Sequence, residues 1–160
     1  MFSASFTGTD QRATAELLNK GPKMITMLVR SMNLWARKLQ THIQVDKLSG
    51  QVLHQRTAKG RNSIRVIDAT AEGSALYAEV LGGGGVAPYM ALHEYGGDGP
   101  YIIRPTNKKA LRFMMGSRVV FATKVLHPPM PQRSFMRSSL ADMQAEIAAG
   151  LQAALDQGSK

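Results

Sequence analysis

The alternation of apolar and polar positions divides the chain into short stretches of period two and two long stripes of roughly four-residue period. Phe2, Ala4 and Phe6 alternate with Ser and Thr, which predicts a short strand over 2–8. Thr9 or Asp10 is suited to cap a helix running to Asn19, where Gly21-Pro22 breaks it. Pro22 then opens a second helix, in which its missing N–H does no harm. Met24, Leu28, Met32, Trp35, Leu39 and Ile43 follow at spacings of four, four, three, four and four, so one apolar stripe reaches to about Val45. That stripe reads as a core-facing or subunit-facing helix about 35 Å long. It is narrow, and amides share its opposite face with basic residues, unlike a membrane-surface helix.

The stretch 47–63 is polar, with four basic residues and two glycines, and reads as a long loop or flexible arm. Strands are expected over 64–69 and 75–81, joined by a turn at Glu72-Gly73-Ser74. Gly82 to Gly85 lacks the Gly-Lys-Ser/Thr ending of a phosphate loop and reads as a flexible joint. Pro88 then opens a helix of about two turns that Gly96-Gly97 stops, with Tyr89, Leu92 and Tyr95 on one face. Tyr101-Ile102-Ile103 reads as a strand ended by Pro105. The stretches 111–115 and 119–126 form a hairpin turning at Gly116-Ser117, with Phe113, Val119, Phe121 and Val125 as expected core residues. Pro128-Pro129-Met130-Pro131 is a stiff connector. Ser134 is suited to cap a last helix, whose stripe is Leu140, Met143, Ile147, Leu151 and Leu155, weakened at Gly150 by about 1 kcal/mol. The final residues 158–160 should fray. The expected fold is therefore α+β. Long N-terminal and C-terminal helices pack on a mainly antiparallel sheet, a loop or arm protrudes, and the turn region 88–105 acts as the hinge of one domain spanning 1–160.

Composition fits that picture: 44% apolar and 19% charged residues belong to a globular chain. Twenty Lys and Arg against eleven Asp and Glu give a net charge of +9. This favours contact with a polyanion or an acidic protein surface, or marks uneven charge on an assembly face. The absence of cysteine excludes disulfides, iron–sulfur clusters and thiolate zinc. The start lacks the parts of a secretory signal, and no apolar run approaches the ~20 residues that span a bilayer. A soluble chain made in the cytoplasm, with no membrane partner, is expected.

Candidate chemistry is sparse. His93-Glu94 would need a second histidine four residues after the first to make a zinc helix, and that position is Gly97. His42, His54 and His127 stand alone in sequence. Asp46 and Asp68 have no evident acid–base partner, and Ser49-Gly50 and Ser63 lack a nucleophile elbow. No catalytic residue, metal ligand or cofactor is expected. Glu94 reads as a hydrogen-bonded or salt-bridged group at the glycine turn.

Three ordered blocks carry more. The first is Leu48-Ser49-Gly50-Gln51-Val52-Leu53 with Arg56-Thr57 and Arg61-Asn62-Ser63-Ile64. The second is Pro88-Tyr89-Met90-Ala91-Leu92-His93-Glu94-Tyr95-Gly96-Gly97, followed by Ile103-Arg104-Pro105 and Lys109-Ala110-Leu111-Arg112-Phe113. The third is Val119-Val120-Phe121-Ala122-Thr123-Lys124-Val125, then Pro131-Gln132-Arg133-Ser134-Phe135-Met136. Over 48–157 their order resembles the tail-completion or neck protein family of long-tailed phages and prophages, including the virion-morphogenesis proteins of Mu-like phages. The second block, similar to the family's Tyr-Ala-x-Ile-His-Glu-Phe-Gly-Gly, is the most specific. Two departures stand out: Ala58-Lys59-Gly60 replaces an early glycine, and Ser134 replaces a proline.

The resemblance implies a virion structural protein without catalysis, at the head–tail junction or tail end. It would form a homo-oligomeric ring, expected as a hexamer, that completes or joins the tail and lets DNA pass. Its partners would be itself, neighbouring head-completion, connector and tail proteins, and packaged DNA without sequence readout. Arg56, Arg61, Tyr89, His93, Glu94, Arg133 and Phe135 are expected at the assembly contacts, and Lys47, Lys59 and Arg65 facing phosphate. A tail terminator, a non-specific basic DNA-binding module and an assembly factor absent from the finished particle are the alternatives.

Overall fold

The computed structural model of the chain describes residues 2–7, 21–53, 58–72 and 75–159. The helix expected over 10–19, Arg56 and part of the 72–74 turn lie outside the described residues. The elements are β1 (Phe2–Thr7), α1 (Pro22–His42), a π-helical segment (Ile43–Gln51), α2 (Lys59–Asn62), β2 (Arg65–Glu72), β3 (Ala75–Gly82), a 3-10 turn (Gly84–Val86), α3 (Met90–Tyr95), β4 (Tyr101–Ile103), β5 (Leu111–Met115), β6 (Arg118–Ala122), β7 (Val125–His127) and α4 (Phe135–Gly158). The fold is α+β, and among the described residues every strand pairing is antiparallel.

β3 is the middle of a three-stranded sheet with order β1-β3-β2. Leu76, Ala78 and Val80 alternate along β3 and are buried on its inner face, as period-two burial requires. β2 shifts register between Ile67 and Thr70. The amide of Ala69 in that irregularity donates to Asn33 Oδ1 of α1 at 2.6 Å, so the helix satisfies a donor that the ladder leaves out.

α1 buries Met24, Leu28, Met32, Ala36 and Leu39, and Ile43 continues the row. The stripe turns through Ala36 where the sequence pointed to Trp35, because four-residue steps keep the face aligned on the sheet. Trp35 stands half-buried beside it against α4. A Cβ built on Gly150 would fall 2.0 Å from Trp35 Nε1, and Ser31 Oγ donates to the Gly150 carbonyl at 3.2 Å. The Trp35 ring therefore packs directly on the α4 backbone at Gly150. Gly150→Ala is expected to destabilise the fold by about 1–2 kcal/mol through overpacking, despite alanine's better helix propensity. Urea unfolding measures this, and a gain in stability would show that Trp35 swings away at little cost.

The stretch read as a loop over 47–63 is largely structured. Ile43 and Leu48 are both fully buried and five residues apart, a spacing that fits the i→i+5 bonding of a π-helix and breaks the α-helical period. Gly50, at φ 127°, breaks the helical backbone within the segment, one residue before its end. Leu53 and Ile64 are also core residues, and Gly60 lies so close to Met90 that an added Cβ would meet its sulfur at 2.7 Å. The described parts of 47–63 are thus helical and packed.

The ribbon after α3 reverses a second expectation. Val119 and Phe121 are exposed, and Phe113 and Val125 only half-buried, so this hairpin lies outside the core. The strand read as 119–126 is split at Thr123-Lys124: β6 pairs with β5, and β7 with β4. Each pair packs mainly within itself. The protruding element of this fold is accordingly the ribbon over 101–127.

Candidate functional site

The glycine turn and the start of α4 form one unit. α3 ends at Gly96, whose φ of 79° suits a residue without Cβ. Gly97 exchanges two backbone hydrogen bonds with Met130, at 3.0 and 3.3 Å, which ties the proline connector to the turn. α3 buries Met90 and Glu94, while Tyr89, Leu92 and Tyr95 face outward together.

Glu94 is only 1% exposed and is spent on α4. Its Oε2 accepts the Met136 amide at 2.8 Å, and its Oε1 accepts the Arg137 amide at 3.1 Å and Arg137 Nε at 3.2 Å. Ser134 occupies the N-cap position as expected, but with φ 45° and no capping bond from its own side chain. The helix N-terminus leaves amide donors open, and a carboxylate from another helix fills them and meets the dipole. Arg137 also lies over the Tyr95 ring, 5.2 Å from its centroid.

His93 stacks edge-on to Tyr89, with ring centroids 6.2 Å apart. Its carbonyl accepts the Arg133 amide at 2.8 Å, and Arg133 Nη1 donates to the Val52 carbonyl at 2.9 Å. The buried Nδ1 finds no hydrogen-bond partner among the described residues. Burial first, and the Arg133 guanidinium second, hold the imidazole below its ordinary pKa of 6.5. The unfolded chain then binds a proton that the folded chain refuses, so stability falls as pH drops below about 6.5. A thermal midpoint that declines from pH about 7.5 to about 5.5, with His93→Gln flattening the slope, is the expected result of a melting series.

The residues expected at assembly contacts therefore divide. Tyr89 is exposed at the N-cap of α3, Arg61 on α2, and Arg133 just before α4. Phe135, fully buried, and Glu94 belong to the interior and cannot meet a neighbour directly. Lys47 is not free for phosphate: its Nζ donates to Asp142 Oδ2 at 2.6 Å, and His42 bridges Asp46 and the same Asp142. Lys47 and, after it, His42 hold the Asp142 carboxyl below its ordinary pKa. Lys59 and Arg65 are exposed.

Exposed large apolar side chains cluster on the ribbon. Its side chains sort by register: Arg112 faces Phe121 and Met114 faces Val119, all four exposed, with Phe121 at 67%. The opposite face, with Leu111, Phe113, Val120 and Ala122, is half-buried. Ile102 and Leu126, paired across β4 and β7, are exposed as well. Arg104, Lys108, Lys109, Arg112, Arg118 and Lys124 are exposed and form no ion pair among the described residues. Six of the basic residues are thus concentrated on this ribbon. The signal was present: no Asp or Glu occurs between Asp98 and Asp142.

Among the described residues no group of three or more His, Cys, Asp or Glu is placed to hold a metal ion. No described helix is long and apolar enough to cross a membrane. The chain matches no protein-family model, no curated protein and no solved structure.

Proposed function

We propose that the chain is a structural component of a phage head–tail junction or tail end, building a homo-oligomeric ring through which DNA passes. The observation that carries this reading is the ribbon, with its open apolar face and uncompensated cations. A two-stranded ribbon is marginal in water by itself, and open strand edges accept a neighbour's backbone. Exposed Phe121, Met114 and Leu126 gain from being covered. The ordered blocks over 48–157 supply the particular kind of assembly. In this reading the protein acts by shape and docking, the virion is its destination, and a hexamer is the expected ring.

Electron microscopy of the purified chain and mass spectrometry of intact particles test it. Closed rings and presence in mature virions are the expected results. A chain that stays monomeric and is missing from finished particles overturns the reading.

A second reading has its own observation. Six exposed cations on one ribbon suit phosphate contact without base readout. Duplex DNA bound by the isolated monomer at low salt, and released steeply as salt rises, would favour it.

A further inference from the structure

We propose that the ribbon of one copy seats on the outer face of α4 of a second copy, in a head-to-tail contact that repeats around the assembly. The proposal rests on the ring reading above and names the joint.

The ribbon face that carries Arg112, Met114, Val119 and Phe121 mixes a cation with three large apolar side chains, all exposed. Phosphate would pair with the cation and leave the apolar groups wet. A protein surface that is both acidic and close-fitting covers the whole face. α4 offers one. From Ser138 to Ser159 it contains no Lys or Arg, while Asp142, Glu146 and Asp156 are exposed. Asp142 is already engaged by Lys47 and His42, so Glu146 and Asp156 are the acids left to a partner. On the same helix Ala141, Ala145, Ala148 and Ala149 are exposed at helical spacing. Methyl-sized side chains let a strand pair approach the helix closely.

Charge also selects the geometry. Ribbon against ribbon sets cations against cations, and α4 against α4 sets acids against acids, so self-matched pairing is disfavoured. Ribbon against α4 joins unlike surfaces on different elements of one chain. Such heterologous contacts run head to tail and close into a ring when the rotation allows.

Two double variants of the full chain test the contact by sedimentation velocity. Met114→Ser with Phe121→Ser strips the ribbon face. Glu146→Lys with Ala149→Lys turns the α4 face basic. All four positions are exposed, and thermal melts check that the fold is intact. If either variant fails to fold, Arg112→Ser with Val119→Ser and the single change Asp156→Lys take their places. The expected result is rings from the wild type, monomers from each variant alone, and a one-to-one dimer from their equimolar mixture, because one good ribbon and one good α4 face remain. Rings from either folded variant alone overturn this contact and leave the ring reading standing. A mixture that stays monomeric also overturns it. A wild-type chain that is monomeric at every concentration overturns the ring reading, and this joint with it.

Discussion

Replacing Phe135 by alanine is expected to destabilise the folded chain by about 4 kcal/mol, the range for emptying a buried aromatic site. Phe135 is fully buried at the first turn of α4, within the cluster that joins α1, the central sheet and α3. Its carbonyl accepts Ser139 Oγ at 2.6 Å, so the local backbone is held in place and collapses poorly around a cavity. For a chain of this length the loss corresponds to a fall in melting temperature of about 8–16 °C. Urea titration reads it as a lower midpoint with an unchanged slope. The same substitution checks the placement of Phe135 in the core against an interface role. An interface residue would impair assembly and leave the monomer's stability alone. A loss below about 1 kcal/mol would therefore remove Phe135 from the core.

Glu94→Ala has the second largest expected effect, about 3 kcal/mol. The buried carboxylate meets two backbone amides and one guanidinium nitrogen. Truncation leaves the Met136 amide, in a buried first turn, without its acceptor, and unpaired buried donors are costly. Arg137 is 55% exposed, so water compensates part of its loss. Glu94→Gln should fall between wild type and alanine, because an amide keeps the shape but turns a donor toward a donor. Hydrogen exchange locates the effect: the amides of Met136 and Arg137 are expected to exchange faster in both variants while the middle of α4 stays protected. Equal protection across the start of α4 would show that the cap comes from elsewhere.

Local rules made some of this structure legible and long-range ones hid the rest. Pro22, Pro88, Gly96 and Gly116 mark starts and stops by backbone restriction alone, and the elements begin or end beside them. The α1 stripe was readable because four-residue spacing needs no knowledge of the partner. The segment 43–51 was not, because Ile43 and Leu48 follow a five-residue step that resembles a lost period. The ribbon misled for a different reason. Alternation in 111–122 shows that strands form, but it does not say whether anything covers them, so the pattern points Phe121 inward while the fold leaves it exposed. Glu94 was half visible. Its neighbours Gly96 and Gly97 marked a turn, whereas the amide it caps lies 42 residues further on. The clustered charge was readable by a simple count of acids between 98 and 142, and only the fold gathers those cations onto one ribbon.

The tight meeting of Trp35 with Gly150 gives this molecule an optical label. The chain has a single tryptophan, with the Lys38 ammonium 4.1 Å from its ring centroid and Gly150 of α4 packed against the ring. Its emission therefore reports whether those two helices are in register. A shift in wavelength marks their separation, and events confined to the ribbon leave the signal unchanged.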